Sequence, residues 1–436
     1  MAKDKKQSPG ELKNKHIFFV YDAGGLFLEF ALQLGRDGHQ VYYYTPYYDS
    51  ELSFKRYALG VGFEQIKKPL YFWNALLKYP KEEVTIVFPD VGNGDMAEFL
   101  KQQGYAVFAA GRGDILENHR EFLRKKMKEI GLPVNNYIEI TGVEKLREYL
   151  KKNPNKIVKL DIFRNDQESF KVKNYDEAET IIDHLKFRFG PLSDEFPFIV
   201  EDLIDGDEPG FDIIFNKNDY LTPYLWGFEV SKGPYAGMVT NKLPTPLQEV
   251  ADKLKKLLQS YDWRSFISTE AIIHNNKPYL IDVCSRAPYP LGLGFTLLYK
   301  NFSEIIYKVA RGLPVIPQFR AKYMIVLPLE ISKSSNTPPF WHHLTFPVGE
   351  INTSTATYEV KVSYVAKTYD KQYIGIPEFG NYLTIVGVGN NPEELKLGLL
   401  KIAEKCKSGS GSFIYDKDSL DAAVKKLLTF NKQYGN

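Results

Sequence analysis

Cysteine is almost absent from this chain: Cys284 and Cys406 are the only two in 436 residues, far apart and in unlike contexts. That excludes a disulfide framework and a cysteine-rich zinc site, and leaves reduced thiols in a cytoplasmic protein as the expectation. No charge of one sign dominates, since 56 Lys and Arg stand against 54 Asp and Glu, a formal net charge of +2. Such a balance offers a nucleic acid no electrostatic footing. No apolar run is long enough to span a bilayer, and Met1-Ala-Lys-Asp-Lys-Lys-Gln-Ser-Pro-Gly10 lacks the apolar core of a signal peptide. No membrane partner is therefore expected. Nor does any segment repeat.

What is present reads as globular. The apolar fraction is 44% and the charged fraction 25%, values of a folded water-soluble chain. The length predicts about three domains. The 29 Tyr and 29 Phe fall mostly inside strand-like runs, so they predict a filled core rather than a base-stacking surface. Over residues 1–115, strand and helix signals alternate: His16–Tyr21, a helix from Leu26, Gln40–Tyr44, Val84–Phe88 and Tyr105–Phe108. This βαβ rhythm predicts a parallel, Rossmann-like layer. Gly24-Gly25 and Gly92-Asn-Gly94 follow strands but lack the dinucleotide fingerprint, so tight turns are expected there.

Further along, helices are predicted over Arg120–Ile130, Val143–Lys152, Tyr175–Phe187 and Pro246–Ser260, with strands near Asn136–Thr141 and at Lys156–Lys159. Ser231–Pro246, rich in Gly, Pro and Thr, reads as a loop. A boundary is expected at Arg311-Gly-Leu-Pro314. Beyond it come strands at Tyr323–Pro328 and Tyr382–Val388, a loop at 332–339, and a helix from Pro392 to about Cys406 with Asn391 as its cap. Lys407–Ser412 reads as a loop.

The candidate chemistry lies in spaced carboxylates. Pro197-Phe-Ile-Val-Glu201 is an apolar strand ending in an acid, and Glu208 follows seven residues later, after Gly206. Ser268-Thr-Glu270 and Ile281-Asp282-Val-Cys284-Ser-Arg286 flank the turn His274-Asn-Asn-Lys-Pro278, which predicts a hairpin. Period-two geometry then puts Asp282, Cys284 and Arg286 on one face, with Glu270 alongside. Two acids and an arginine converging in this way suit a magnesium–phosphate site. The competing reading is a solvated strand end and an exposed hairpin.

These motifs resemble the ATP-grasp superfamily. The resemblance implies an α/β and α+β chain: a Rossmann-like domain (1–115), a two-part ATP-binding body (116–315) and a small β-rich C-terminal domain (316–436). It implies that Glu201 and the backbone at Ile204 meet the adenine edge and that Glu208 holds the ribose. Lys159, at the end of Lys156-Ile-Val-Lys159, would reach the phosphates. So would Arg120 of Asn118-His-Arg120…Gly131-Leu-Pro133, and Lys171 on the following strand. Glu270, Asp282 and Cys284 would hold Mg2+, following Glu, then Glu-x-Asn-x-Arg, while Arg286 and Lys159 offset charge in the reaction. The implied activity is ATP-dependent ligation of a small-molecule carboxylate to an amine, and the resemblance leaves room for a homodimer. Total length and the ending Thr384–Asp416 are similar to the phosphoribosylamine–glycine ligase-like branch.

Several positions depart from the pattern. Cys284 stands where the family has asparagine, and a thiol is a soft ligand for a hard cation. Asp282 replaces glutamate, and Phe163–Ser169 contains no glycine where a glycine-rich flap is usual. The Gly-Arg-Glu-His and Arg-Phe-Gly-Asp-Pro-Glu segments of the branch are missing, so its purine-pathway substrates are not implied. A degenerate, non-catalytic nucleotide-binding scaffold remains the alternative.

Overall fold

The computed structural model describes residues 14–46, 59–161, 169–231, 233–331, 342–376, 381–409 and 413–435. The first four strands form one parallel sheet in the order Gln40–Tyr44, Ile17–Tyr21, Val84–Val87, Ala106–Phe108. Continuous apolar runs such as Val84-Thr-Ile-Val87, buried along their whole length, suit a sheet covered on both faces. Helices Leu28–Arg36 and Gly94–Gln102 follow the strands Ile17–Tyr21 and Val84–Val87. The Gly24-Gly25 turn is closed by Asp22, which accepts from the backbone of Leu26 (3.2 Å) and Phe27 (2.8 Å). Gly25 has φ +70°, a conformation that favours glycine.

A second, antiparallel sheet runs Tyr137–Thr141, Pro197–Asp202, Lys156–Leu160, Ser169–Val172. Helices Val143–Lys152 and Tyr175–Phe189 contribute to its separate apolar cluster, which includes Val143, Leu146, Val158, Ile182 and Phe198. This small lobe shares no buried core residue with the main cluster.

Among the described residues the main sheet has eleven strands. Its path starts at the edge with Lys277–Cys284 and Arg264–His274, continues through Gly210–Asn216, Tyr224–Glu229 and Tyr235–Thr240, and passes to Tyr323–Ile331, Leu383–Gly389, Ala356–Val362 and Ile351–Asn352. The helix Thr245–Ser260 packs by the hairpin end, and Pro392–Ala403 and Lys417–Tyr434 pack farther along. The Asn391 side chain caps the first of these C-terminal helices, accepting from Glu393 N at 3.0 Å. That helix ends at Ala403, three residues short of the sequence expectation.

One expectation fails here. Ser231–Pro246 is not all loop, because Tyr235–Thr240 is a strand. It is paired on both sides, with Tyr224–Glu229 and with Tyr323–Val326, so tertiary pairing overrides the weak local signal of its glycine. Lys407–Ser408 is likewise a short strand against Leu344–Thr345. The expected loop at 332–339 lies outside the described residues, as does the expected flap apart from Ser169.

Candidate functional site

The hairpin at the sheet edge is set by its turn. Asn275 and Asn276 have φ +49° and +61°, which two-residue hairpin turns of the primed type require and asparagine tolerates. The register that follows places Glu270 opposite Asp282 and Ser268 opposite Cys284, with an irregularity between Glu270 and Ala271. Bulges re-aim side chains at such points. Glu270 is exposed. The surrounding protein, then Asp282, Glu229 and Glu208, push its carboxyl up to about 8, an effect weakened by the solvent that reaches it.

The small lobe presents a second set. Glu201, next to last in its strand, pairs with Ile157, and Ile157 faces Lys171 on the next strand, so these residues form one row. Lys159, two positions from Ile157, shares that face. Lys171 is exposed on the outer strand, whereas Glu201 and Lys159 are buried at 2% and 6% exposure. Ile204 and Glu208 lie on the segment leaving the lobe, Ile204 half-buried and Glu208 exposed.

Across from that face, helix Arg120–Glu129 sends two guanidinium groups from successive turns. Arg120 donates to the carbonyl of Leu160 (2.5 Å) and stands 3.8 Å from Asp282. Arg124 holds Oε1 of Glu201 with both Nε and Nη2 at 2.6 Å, and Nη2 also donates to the carbonyl of Ile281 (3.1 Å). Lys159 lies 3.3 Å from Oε2 of Glu201 and donates to the same carbonyl at 3.4 Å. Burial favours a neutral Glu201, but Lys159 and Arg124 outweigh it and hold the carboxyl below its ordinary value. Burial and then Arg124 push the Lys159 ammonium down. The two directions agree because two cations compete for one anion.

Arg286 sits elsewhere than the strand pattern alone suggests. Its Nε donates to Oε1 of Glu117 (2.9 Å) and stands 3.7 Å from Asp90, which follows the third strand of the parallel sheet. Oε2 of Glu117 accepts from the backbone and hydroxyl of Ser285 at 2.7 and 3.1 Å. Burial opposes the charge on Arg286, and Glu117 overcomes it. Glu117 and Arg124 were both missed from sequence. Arg124 had a signal, its spacing of four from Arg120 on one helix face; an isolated Glu117 had none.

The expected third metal donor does not join the pair. Among the described residues, no three His, Cys, Asp or Glu side chains are grouped so as to hold a metal ion. Cys284 lies a pleat away from Asp282, and burial, then Glu117, push its thiol well above its ordinary value. It stays a neutral, soft group, ill-suited to Mg2+. Glu270 and Asp282 alone still fit that ion, which commonly takes one or two carboxylates and completes its shell with phosphate and water.

No protein-family model matches the sequence, and no curated protein matches it either. Solved structures do match. Phosphoribosylamine–glycine ligase from Thermotoga maritima superposes with a TM-score of 0.67 at 18% identity, over 91% of this chain and 98% of that one. The biotin carboxylase domain of 2-oxoglutarate carboxylase from Hydrogenobacter thermophilus, in complex with MgADP, ADP and bicarbonate, gives 0.67 at 11% identity, over 96% and 98%. N5-carboxyaminoimidazole ribonucleotide synthetase from Thermotoga maritima gives 0.58 at 10%, over 90% and 99%. These likenesses show the fold, that of the ATP-grasp structures.

Proposed function

We propose that the chain is an ATP-dependent ligase that joins a carboxylate to an amine through an acylphosphate. Residues 1–115, 116–315 and 316–436 would act as its three parts. The observation that carries this reading is the opposition of Glu270 and Asp282 on the hairpin to Arg120 and Lys159 at the mouth of the small lobe. Paired acids beside paired cations suit a phosphate chain that brings its own metal.

Glu201 and the backbone at Ile204 would meet the adenine edge, and Glu208 the ribose hydroxyls. Arg120, Lys159 and Lys171 would hold phosphate oxygens. Glu270 and Asp282 would hold Mg2+, whose chemistry there is to offset phosphate charge. Arg286, fixed by Glu117, would stand where the transferring phosphoryl group gathers negative charge. In the first step a carboxylate oxygen of the substrate attacks the γ-phosphorus, and the bond to ADP breaks. An amine nitrogen then attacks the acyl carbon, phosphate leaves with the bonding pair, and the nitrogen loses a proton. The named ligases among the similar structures support this class of reaction. Incubation of the protein with ATP, Mg2+ and pools of acids and amines should release ADP and orthophosphate; AMP and pyrophosphate would overturn the route.

Cys284, a neutral soft thiol where the family pattern has asparagine, favours a second reading, a nucleotide-binding scaffold without turnover. ATP-dependent thermal stabilisation with no ADP release from any acid–amine pair would support it.

A further inference from the structure

The two faces of the parallel N-terminal sheet are covered differently. On one face Phe18, Val20, Val87 and Phe108 join the main apolar cluster. On the other, Phe19, Ile86 and Val107 form a separate cluster with Phe72, Ala75 and Leu76 of the short helix Phe72–Leu76, and with Ala97 and Leu100 of Gly94–Gln102. The segment around that short helix turns apolar residues outward as well. Leu70, Tyr71, Trp73 and Leu77 are 76%, 63%, 43% and 72% exposed, and Phe99 on Gly94–Gln102 is exposed too. Single exposed apolar side chains are ordinary, but four large ones between positions 70 and 77 form a patch that marks an interaction surface. A helix apolar on both sides is one that a second surface covers.

The charges along this strip select the kind of surface. Lys67 and Lys68 stand at its start and Glu82 and Glu83 at its end, with Lys78 and Lys81 between. Lys68 donates to Oγ1 of Thr45 (2.9 Å) and Lys81 to the carbonyl of Gln103 (3.1 Å). Lys67, Lys78, Glu82 and Glu83 are exposed and have no ion pair among the described residues. A bilayer with anionic headgroups would attract the lysines and repel Glu82 and Glu83. A strip basic at one end and acidic at the other is instead complementary to itself turned end for end, which is what a two-fold axis does. With the axis through Ala75, Trp73 of one copy meets Leu77 of the other, and Lys67 meets Glu83, since each pair is evenly spaced about that position. We propose that residues 67–83 form the interface of a two-fold homodimer of this chain, with Trp73 and Leu77 at its apolar centre and Lys67 against Glu83 at its rim. This holds whether or not the chain turns over ATP.

Sedimentation velocity of the full chain, from about 1 to 100 μM, reads the association. The wild type should sediment as two chains at the upper concentrations. Trp73→Glu should weaken the dimer roughly thirtyfold or more, as loss of a central aromatic anchor does. Leu77→Glu, at a more exposed position, serves in the same role if the first variant does not fold. Lys67→Glu should weaken the dimer roughly three- to tenfold, and combining it with Glu83→Lys should restore the wild-type affinity, which a general loss of stability would not do. A wild type that stays monomeric at about 100 μM overturns the inference. So does a dimer indifferent to both Trp73→Glu and Leu77→Glu, or a charge exchange that fails to restore affinity. Co-sedimentation of the monomer with anionic vesicles, lost in Trp73→Glu, also overturns it, because the strip would then face a lipid surface.

Discussion

Glu270 and Asp282 are direct register partners across an antiparallel hairpin, so two acids share one position on neighbouring strands. Like charges so placed repel until a cation arrives. Glu270→Gln should stabilise the metal-free protein by about 0.5–1 kcal/mol near pH 8 and abolish the rise in Tm on adding Mg2+ and ADP. The sign of its pH dependence follows from its raised carboxyl. The folded state keeps a proton that the unfolded chain releases, so this group lowers stability progressively as pH rises from 4.5 to about 8. Thermal melts across that range without metal should show the wild type losing stability relative to Glu270→Gln. Parallel pH profiles would refute the repulsion.

Glu201 works the other way. Its carboxyl lies below the ordinary 4.5, so its contribution is complete above pH 4.5 and disappears as pH falls through the lowered folded value. Glu201→Gln leaves Arg124 and Lys159 buried beside a neutral amide, which should cost about 3–5 kcal/mol at pH 7. Urea titration at pH 7 and at pH 3.5 should show this loss shrinking at the lower pH. A constant loss at both would mean the pair is not ionised as described.

Gly210 begins the strand beside Glu270, and a Cβ there would run into the carbonyl oxygen of Thr269. Backbone cannot rotate away as a side chain can. Gly210→Ala should therefore cost about 1–3 kcal/mol by urea titration and, by shifting the strand that carries Glu270, raise the Mg2+ concentration needed for nucleotide binding. Unchanged stability would show that the two strands have slack.

Cys284→Asn replaces a neutral thiol with a hard oxygen donor two residues from Asp282. If the oxygen can reach the ion, half-saturation by Mg2+ should occur at roughly three- to tenfold lower concentration, the gain of one added ligand contact. Calorimetric Mg2+ titration of the ADP-loaded protein measures this. No change would place position 284 outside the metal's reach.

The hairpin and its register were legible because alternation and turn chemistry are local, and the parallel N-terminal sheet because strand and helix signals succeed one another along residues 1–115. Asn275-Asn276 declares the turn, and the turn dictates that Glu270 meets Asp282. Tyr235–Thr240 was not legible, since its order comes from two partner strands, one of them about ninety residues away. Glu117 was hidden for the same reason. Its purpose is visible only when Ser285 and Arg286, 168 and 169 residues along the chain, fold back onto it. Arg124 could have been found by asking why a charged helix places two arginines four apart on its buried side.

The small lobe keeps an apolar cluster of its own. Ties that reach from it to the rest of the molecule include Arg124–Glu201, Arg120–Leu160 and Lys159–Ile281, all polar. Swinging the lobe open would exchange hydrogen bonds for water while leaving both apolar cores intact. Such a motion carries little heat-capacity change, because that quantity follows the apolar surface exposed. The lobe's amides would then exchange with solvent as a cooperative unit of their own, ahead of the eleven-stranded sheet. A nucleotide lodged between the two would slow that unit selectively.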